Sequence, residues 1–65
     1  MIDCIGCELL RAKAKALAWH LAGRTPQHIA VLLTFEYTAE YYIEDGKLYR
    51  ASTVAPYTPY LIKSF

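Results

Sequence analysis

The chain is poor in the residues that usually carry chemistry. Two cysteines, two histidines, one tryptophan and one methionine occur in 65 residues. There is no glycine-rich phosphate loop and no Gly-x-Ser-x-Gly nucleophile motif, so nothing in the sequence points to an enzyme. The longest apolar run, Ile29 to Leu33, is far too short to span a bilayer. No basic segment leads into an apolar stretch at the start, where Asp3 stands instead. The expectation is a cytoplasmic protein without membrane contact, in which Cys4 and Cys7 stay reduced unless they serve redox or metal chemistry. No internal repeat or low-complexity tract is visible.

What is present is apolar and aromatic. Hydrophobic residues make up 55% of the chain and six of them are tyrosines, more than 65 residues can easily cover. A single domain over residues 1–65 is expected to bury part of that surface on a partner, either a second copy or another protein. The net charge of +1 argues neither for nor against nucleic acid, but its distribution is uneven. Residues 1–34 carry Arg11, Lys13, Lys15 and Arg24 against Asp3 and Glu8, a balance of +2. Residues 35–46 carry Glu36, Glu40, Glu44 and Asp45 with no Lys or Arg, a balance of −4.

The clearest element is a helix over residues 8–22, rich in Ala and Leu and stopped by Gly23. At 100° per residue, Leu10, Ala14, Leu17 and Leu21 form one stripe, expected to be buried. Arg11 and Lys15 flank it. Trp19 falls opposite, where either the C-terminal segment packs over it or a partner contacts it.

Residues 25–47 admit two readings. Thr25 is a good N-cap and Pro26 a good first helical residue, with Ile29, Leu32 and Leu33 on one face beside Ala30. If Thr34 to Glu36 then turn, a second helix from about Tyr37 would bury Ala39, Tyr42 and Ile43 and end at Gly46. That is the core of a helix-turn-helix unit. Alternatively Val31 to Tyr37 is a strand, and Asp45-Gly46 turns a hairpin pairing Glu44 with Lys47, Ile43 with Leu48 and Tyr42 with Tyr49. In either case residues 47–53 read as a strand, residues 54–59 as a loop, and residues 60–65 as a strand returning onto 47–53. The fold class is α+β: a winged helix-turn-helix of three helices and a C-terminal hairpin, or one N-terminal helix on an antiparallel β-meander.

Cys4, Cys7, His20 and His28 contain most of a zinc-finger spacing, since twelve residues separate Cys7 from His20. The interval from His20 to His28 is too long, however, and no hairpin precedes His20, so no metal or other cofactor is assigned. A Cys-x-x-Cys redox role of the thioredoxin kind would need a βαβ context that the pattern lacks.

In its helical reading the chain resembles small winged-helix regulators of the FaeA-like type that act on fimbrial operons. Thr25, Ile29 and Ala30, the run Ala39, Tyr41, Tyr42 and Ile43, and Gly46-Lys47-Leu48 carry the resemblance, with a turn one residue shorter than the family's. It implies a transcriptional regulator with a recognition helix in the DNA major groove and a wing on phosphates. The DNA-contacting residues would then be Arg24, Tyr37, Thr38, Tyr41, Lys47 and Arg50. The acids of residues 36–45 oppose phosphate contact, so such a regulator would bind weakly, as a homodimer or beside another DNA-bound protein. The alternative is a protein-interaction module, an inhibitor or adaptor with an acidic, tyrosine-rich surface.

Overall fold

The computed structural model describes residues 4–65. Its elements follow in the order α1 (Ile5–Leu21), α2 (Pro26–Tyr37), β1 (Tyr41–Glu44), β2 (Lys47–Arg50) and β3 (Tyr60–Ser64). The strands form an antiparallel sheet in the order β1-β2-β3, and both helices lie on one face of it. The α+β class is therefore correct, but the three-helix reading is not.

Helix α1 begins earlier than the Ala-Leu pattern indicates because Cys4 acts as its cap. The Cys7 N–H donates to Cys4 Sγ at 3.2 Å. At the other end the Gly23 N–H donates to the His20 carbonyl and the Arg24 N–H to the Trp19 carbonyl, each at 3.0 Å. That pair of bonds is a Schellman motif, and it requires the left-handed φ of +91° that Gly23 adopts without steric cost. Thr25 then caps α2 by accepting from the His28 N–H at 3.2 Å, with Pro26 in the first turn.

The first correction concerns Thr34 to Glu36, which continue α2 instead of turning. Ile29, Ala30 and Leu33 are buried and Tyr37 half-buried, so the same face runs on one turn further and gains by staying helical. The Thr34 hydroxyl donates to the Ala30 carbonyl at 2.8 Å and accepts from the Tyr41 N–H at 3.2 Å. It thereby covers one amide on the open edge of β1. The helix ends where Thr38 enters the left-handed region at φ +51°.

The second correction is that Tyr41–Glu44 is a strand, not the recognition helix that the regulator reading places there. Aromatic and β-branched residues suit a pleated surface. Asp45 and Gly46 both take positive φ, 52° and 69°, the backbone of a two-residue hairpin turn. The hairpin register is the one the strand reading proposes: Glu44 opposite Lys47, Ile43 opposite Leu48, Tyr42 opposite Tyr49. The molecule thus joins the first half of one reading to the second half of the other. Strand β3 returns onto β2 as expected, and both strands are shorter than their patterns suggest. A bulge between Leu48 and Tyr49 leaves Ile62 without a partner across the ladder, and Ile62 turns into the core.

The third correction is the buried face of α1. The core consists of Ala12, Ala16, Ile29, Ala30, Leu33, Tyr41, Leu48 and Ile62, with Leu9 and Trp19 packed against it. Leu10, Leu17 and Leu21, expected inside, are 72%, 48% and 77% exposed. Alanine on the inner face lets the helix backbone approach its neighbours closely, and the Trp19 ring then covers the core edge.

Candidate functional site

The six residues assigned to DNA contact are divided between interior and surface. Tyr41 is buried, and its hydroxyl donates to a Glu8 carboxylate oxygen at 2.5 Å. Arg50 donates through Nε to the same oxygen at 2.5 Å and through Nη1 to the Ala51 carbonyl at 2.9 Å. Tyr37 is half-buried, and its hydroxyl has no hydrogen-bond partner among the described residues. Arg24, Thr38 and Lys47 are exposed, on the α1–α2 connection, the end of α2 and the start of β2 respectively. No single helix presents the set.

The Glu8–Tyr41–Arg50 group ties α1 to β1 and β2. Burial pushes the Tyr41 phenol well above its ordinary value, and the Glu8 carboxylate beside it adds to the shift. Burial works against the charge of Arg50, but its bonds to Glu8 more than offset that. Glu8 accepts from both Tyr41 and Arg50, and the Ala51 carbonyl takes a further Arg50 N–H, which makes the group a strut between layers. The sequence holds no spacing signal for it, because Glu8 and Arg50 lie 42 positions apart.

The thiols and imidazoles do not meet. Cys4 and Cys7 occupy the first turn of α1, while His20 lies in its last turn with its ring 5.3 Å from that of Phe65. The twelve residues of helix that separate Cys7 from His20 place their backbones roughly 20 Å apart. Among the described residues no three His, Cys, Asp or Glu side chains are placed to share a metal ion.

Three surfaces remain as candidates. On the outer sheet face, Tyr42 and Tyr49 stack with ring centres 5.6 Å apart, beside the half-exposed Leu61. Burial, with the neighbouring Glu44, Tyr49 and Glu40, raises the Tyr42 phenol above its usual value. Between α2 and β1, Val31, Phe35, Tyr42 and Ile43 line an apolar groove.

The third surface is the outer face of α1, and it is the most regular. Cys7, Leu10, Ala14, Leu17 and Leu21 are all exposed and recur at intervals of three and four. That is the seam pattern with which one helix receives the knobs of another. It runs about 21 Å, four turns of helix. Arg11 and Lys13 flank it, one on each side, and both are exposed. Lys15 is ion-paired with Glu36 and sits 5.2 Å from the centre of the Tyr37 ring, and Glu8 is turned inward. The described outer surface of α1 therefore offers leucines and free positive charge, with no free acid. The spacing was visible in the sequence; that it faces outward was not.

No described helix is long and apolar enough to cross a membrane. Comparison with family models, with curated proteins and with solved structures gives no match to this chain.

Proposed function

We propose that the protein is a small interaction module that receives an amphipathic helix of another protein along the outer face of α1. One observation carries this reading: Leu10, Leu17 and Leu21 project into solvent at seam spacing from a helix whose opposite face is already in the core. Three large aliphatic side chains held outward on a rigid element form an apolar patch that solvent disfavours and a partner would cover. The helix-in-groove mode of recognition reads such anchors at i, i+3, i+4 and i+7.

Charge selects the partner. A second copy docking by the same face would bring Arg11 and Lys13 towards their own counterparts, and like charges beside a seam oppose pairing. A helix with leucines on its seam and Glu or Asp on its flanks meets those residues favourably. The regulator reading is weaker because the segment it needs as a recognition helix is strand β1.

The test is a fluorescence-anisotropy titration with two synthetic helical peptides that share a leucine seam, one flanked by Glu and the other by Lys. The Glu peptide should bind at least about tenfold tighter, with the advantage shrinking as salt rises. Equal affinities, or no binding by either peptide, would remove the proposal. So would retardation of mixed duplex DNA or binding to anionic vesicles at salt where the Glu peptide shows nothing.

A further inference from the structure

The first turn of α1 holds two cysteines; Cys7 begins the outer seam, and the docking surface leaves Cys4 and the pairing of the two thiols unexplained. Cys4 is the cap and Cys7 the third helical residue, both are exposed, and the Cys7 N–H points at Cys4 Sγ from 3.2 Å. Side chains three apart at a helix start are neighbours, so the two sulfurs lie within reach of one another after a small rotamer change. Cys4 also lines a cleft of 200 Å³ between the start of α1 and the loop after β2, with Ser52, Thr53, Val54 and Tyr60 on its walls. A small molecule can therefore approach this thiol from a recess in the surface.

The two thiols are not equivalent. Hydrogen bonds from the Cys7 side chain and backbone N–H hold the Cys4 thiol below its ordinary value, helped by Arg11 one turn further on. The same proximity, with some burial, pushes the Cys7 thiol up. One sulfur is thus suited to attack and the other to stay protonated until the first has reacted.

We infer that Cys4 and Cys7 form a reversible dithiol–disulfide site, oxidised by small-molecule disulfides that enter the cleft beside Cys4. The Cys4 thiolate attacks one sulfur of the small disulfide, whose S–S bond breaks and releases one thiolate. The product is a mixed disulfide on Cys4. Cys7 then loses its proton to solvent and its sulfur attacks the Cys4 sulfur, expelling the second thiolate. Two protein thiols give up two electrons and two protons, and the small disulfide becomes two thiols. The site needs no βαβ unit, because the helix start itself supplies the amide and the charge. It stands whether or not the outer face of α1 docks a helix.

The test equilibrates the full chain in mixtures of reduced and oxidised glutathione, quenches with acid, alkylates free thiols and weighs the products. The expected product is a monomer about 2 Da lighter that takes no alkylating reagent, at a glutathione ratio independent of protein concentration. In the reduced protein at pH 7, Cys4 should alkylate about tenfold faster than Cys7. Cys7→Ser should stop at a glutathione adduct on residue 4. Cys4→Ser keeps an oxygen for the helix cap, and circular dichroism should show its helix intact. Glutathione adducts on both cysteines without an internal disulfide, a disulfide-linked dimer, or equal alkylation rates would each overturn the inference.

Discussion

The two faces of α1 are both apolar and behave in opposite ways. The inner face is built on Ala12 and Ala16, each fully buried, and the outer face on three leucines exposed by 48% or more. Residue size alone would reverse that assignment. What decides it is the fit to the rest of the chain: Ile29, Leu33, Leu48 and Ile62 already fill the centre, and only a small-residue face can approach them without clash. Large side chains on the other face are then free for a partner. A helix with two apolar faces shows that periodicity finds stripes but does not say which stripe is the core.

The sharpest way to break this comparison is to truncate a leucine on each side of it. Leu33→Ala removes a fully buried side chain and should cost about 2–5 kcal/mol in urea denaturation. Leu17→Ala should stay within about 0.5 kcal/mol of the parent while weakening peptide docking. If Leu17→Ala destabilises as much as Leu33→Ala, the outer face is part of the fold's own core. Next in size, Ala16→Leu places extra methyl groups where none fit and should cost about 1–3 kcal/mol, whereas Ala14→Leu on the outer face should be nearly neutral. Urea midpoints for the two variants separate the faces directly.

The strut that fixes the inner face gives a third prediction. Glu8→Gln leaves Arg50 without its counter-charge in a site where both side chains are less than one-fifth exposed. A loss of about 1–3 kcal/mol is expected, read as a lower urea midpoint at neutral pH. The fourth contrast is between Tyr41 and Tyr37. The folded Tyr41 phenol binds its proton more tightly than the unfolded one, so above the ordinary phenol range of about 10 the unfolded state releases that proton first. Stability attributable to this group is therefore unaffected below that pH and falls as pH rises beyond it. Tyr41→Phe should flatten the fall between about pH 10 and 12 in thermal melts. Tyr37→Phe removes a hydroxyl that has no partner among the described residues, and should leave stability unchanged or raise it by up to about 1 kcal/mol. A large loss on Tyr37→Phe would show that the hydroxyl is bonded in solution.

Much of the local structure was legible. The cap at Thr25, the stop at Gly23 and the turn at Asp45-Gly46 are read from single residues whose backbone preferences dominate locally. Strand register around the hairpin follows once the turn is placed. The extent of α2 was not legible, because Thr34, Phe35 and Glu36 suit either a turn or a last helical turn. Packing decides between them, through Leu33 and Tyr37 on the inner side and the Thr34 hydroxyl bonding both to Ala30 and to the start of β1. The strut of Glu8, Tyr41 and Arg50 was hidden for a related reason: its members come together only after the sheet has formed. The outer stripe of α1 was seen in the sequence and assigned to the wrong side.

The docking role of the outer α1 face is tested most directly by a proton–nitrogen NMR titration of the full chain with the Glu-flanked leucine-seam peptide, repeated on the double variant Leu10→Lys/Leu17→Lys. Saturable shifts are expected at Leu10, Ala14, Leu17 and Leu21, with small changes at Tyr42 and Tyr49 and no saturation in the variant. Shifts centred on the Tyr42–Tyr49 face, or a variant that binds as well as the parent, would contradict it.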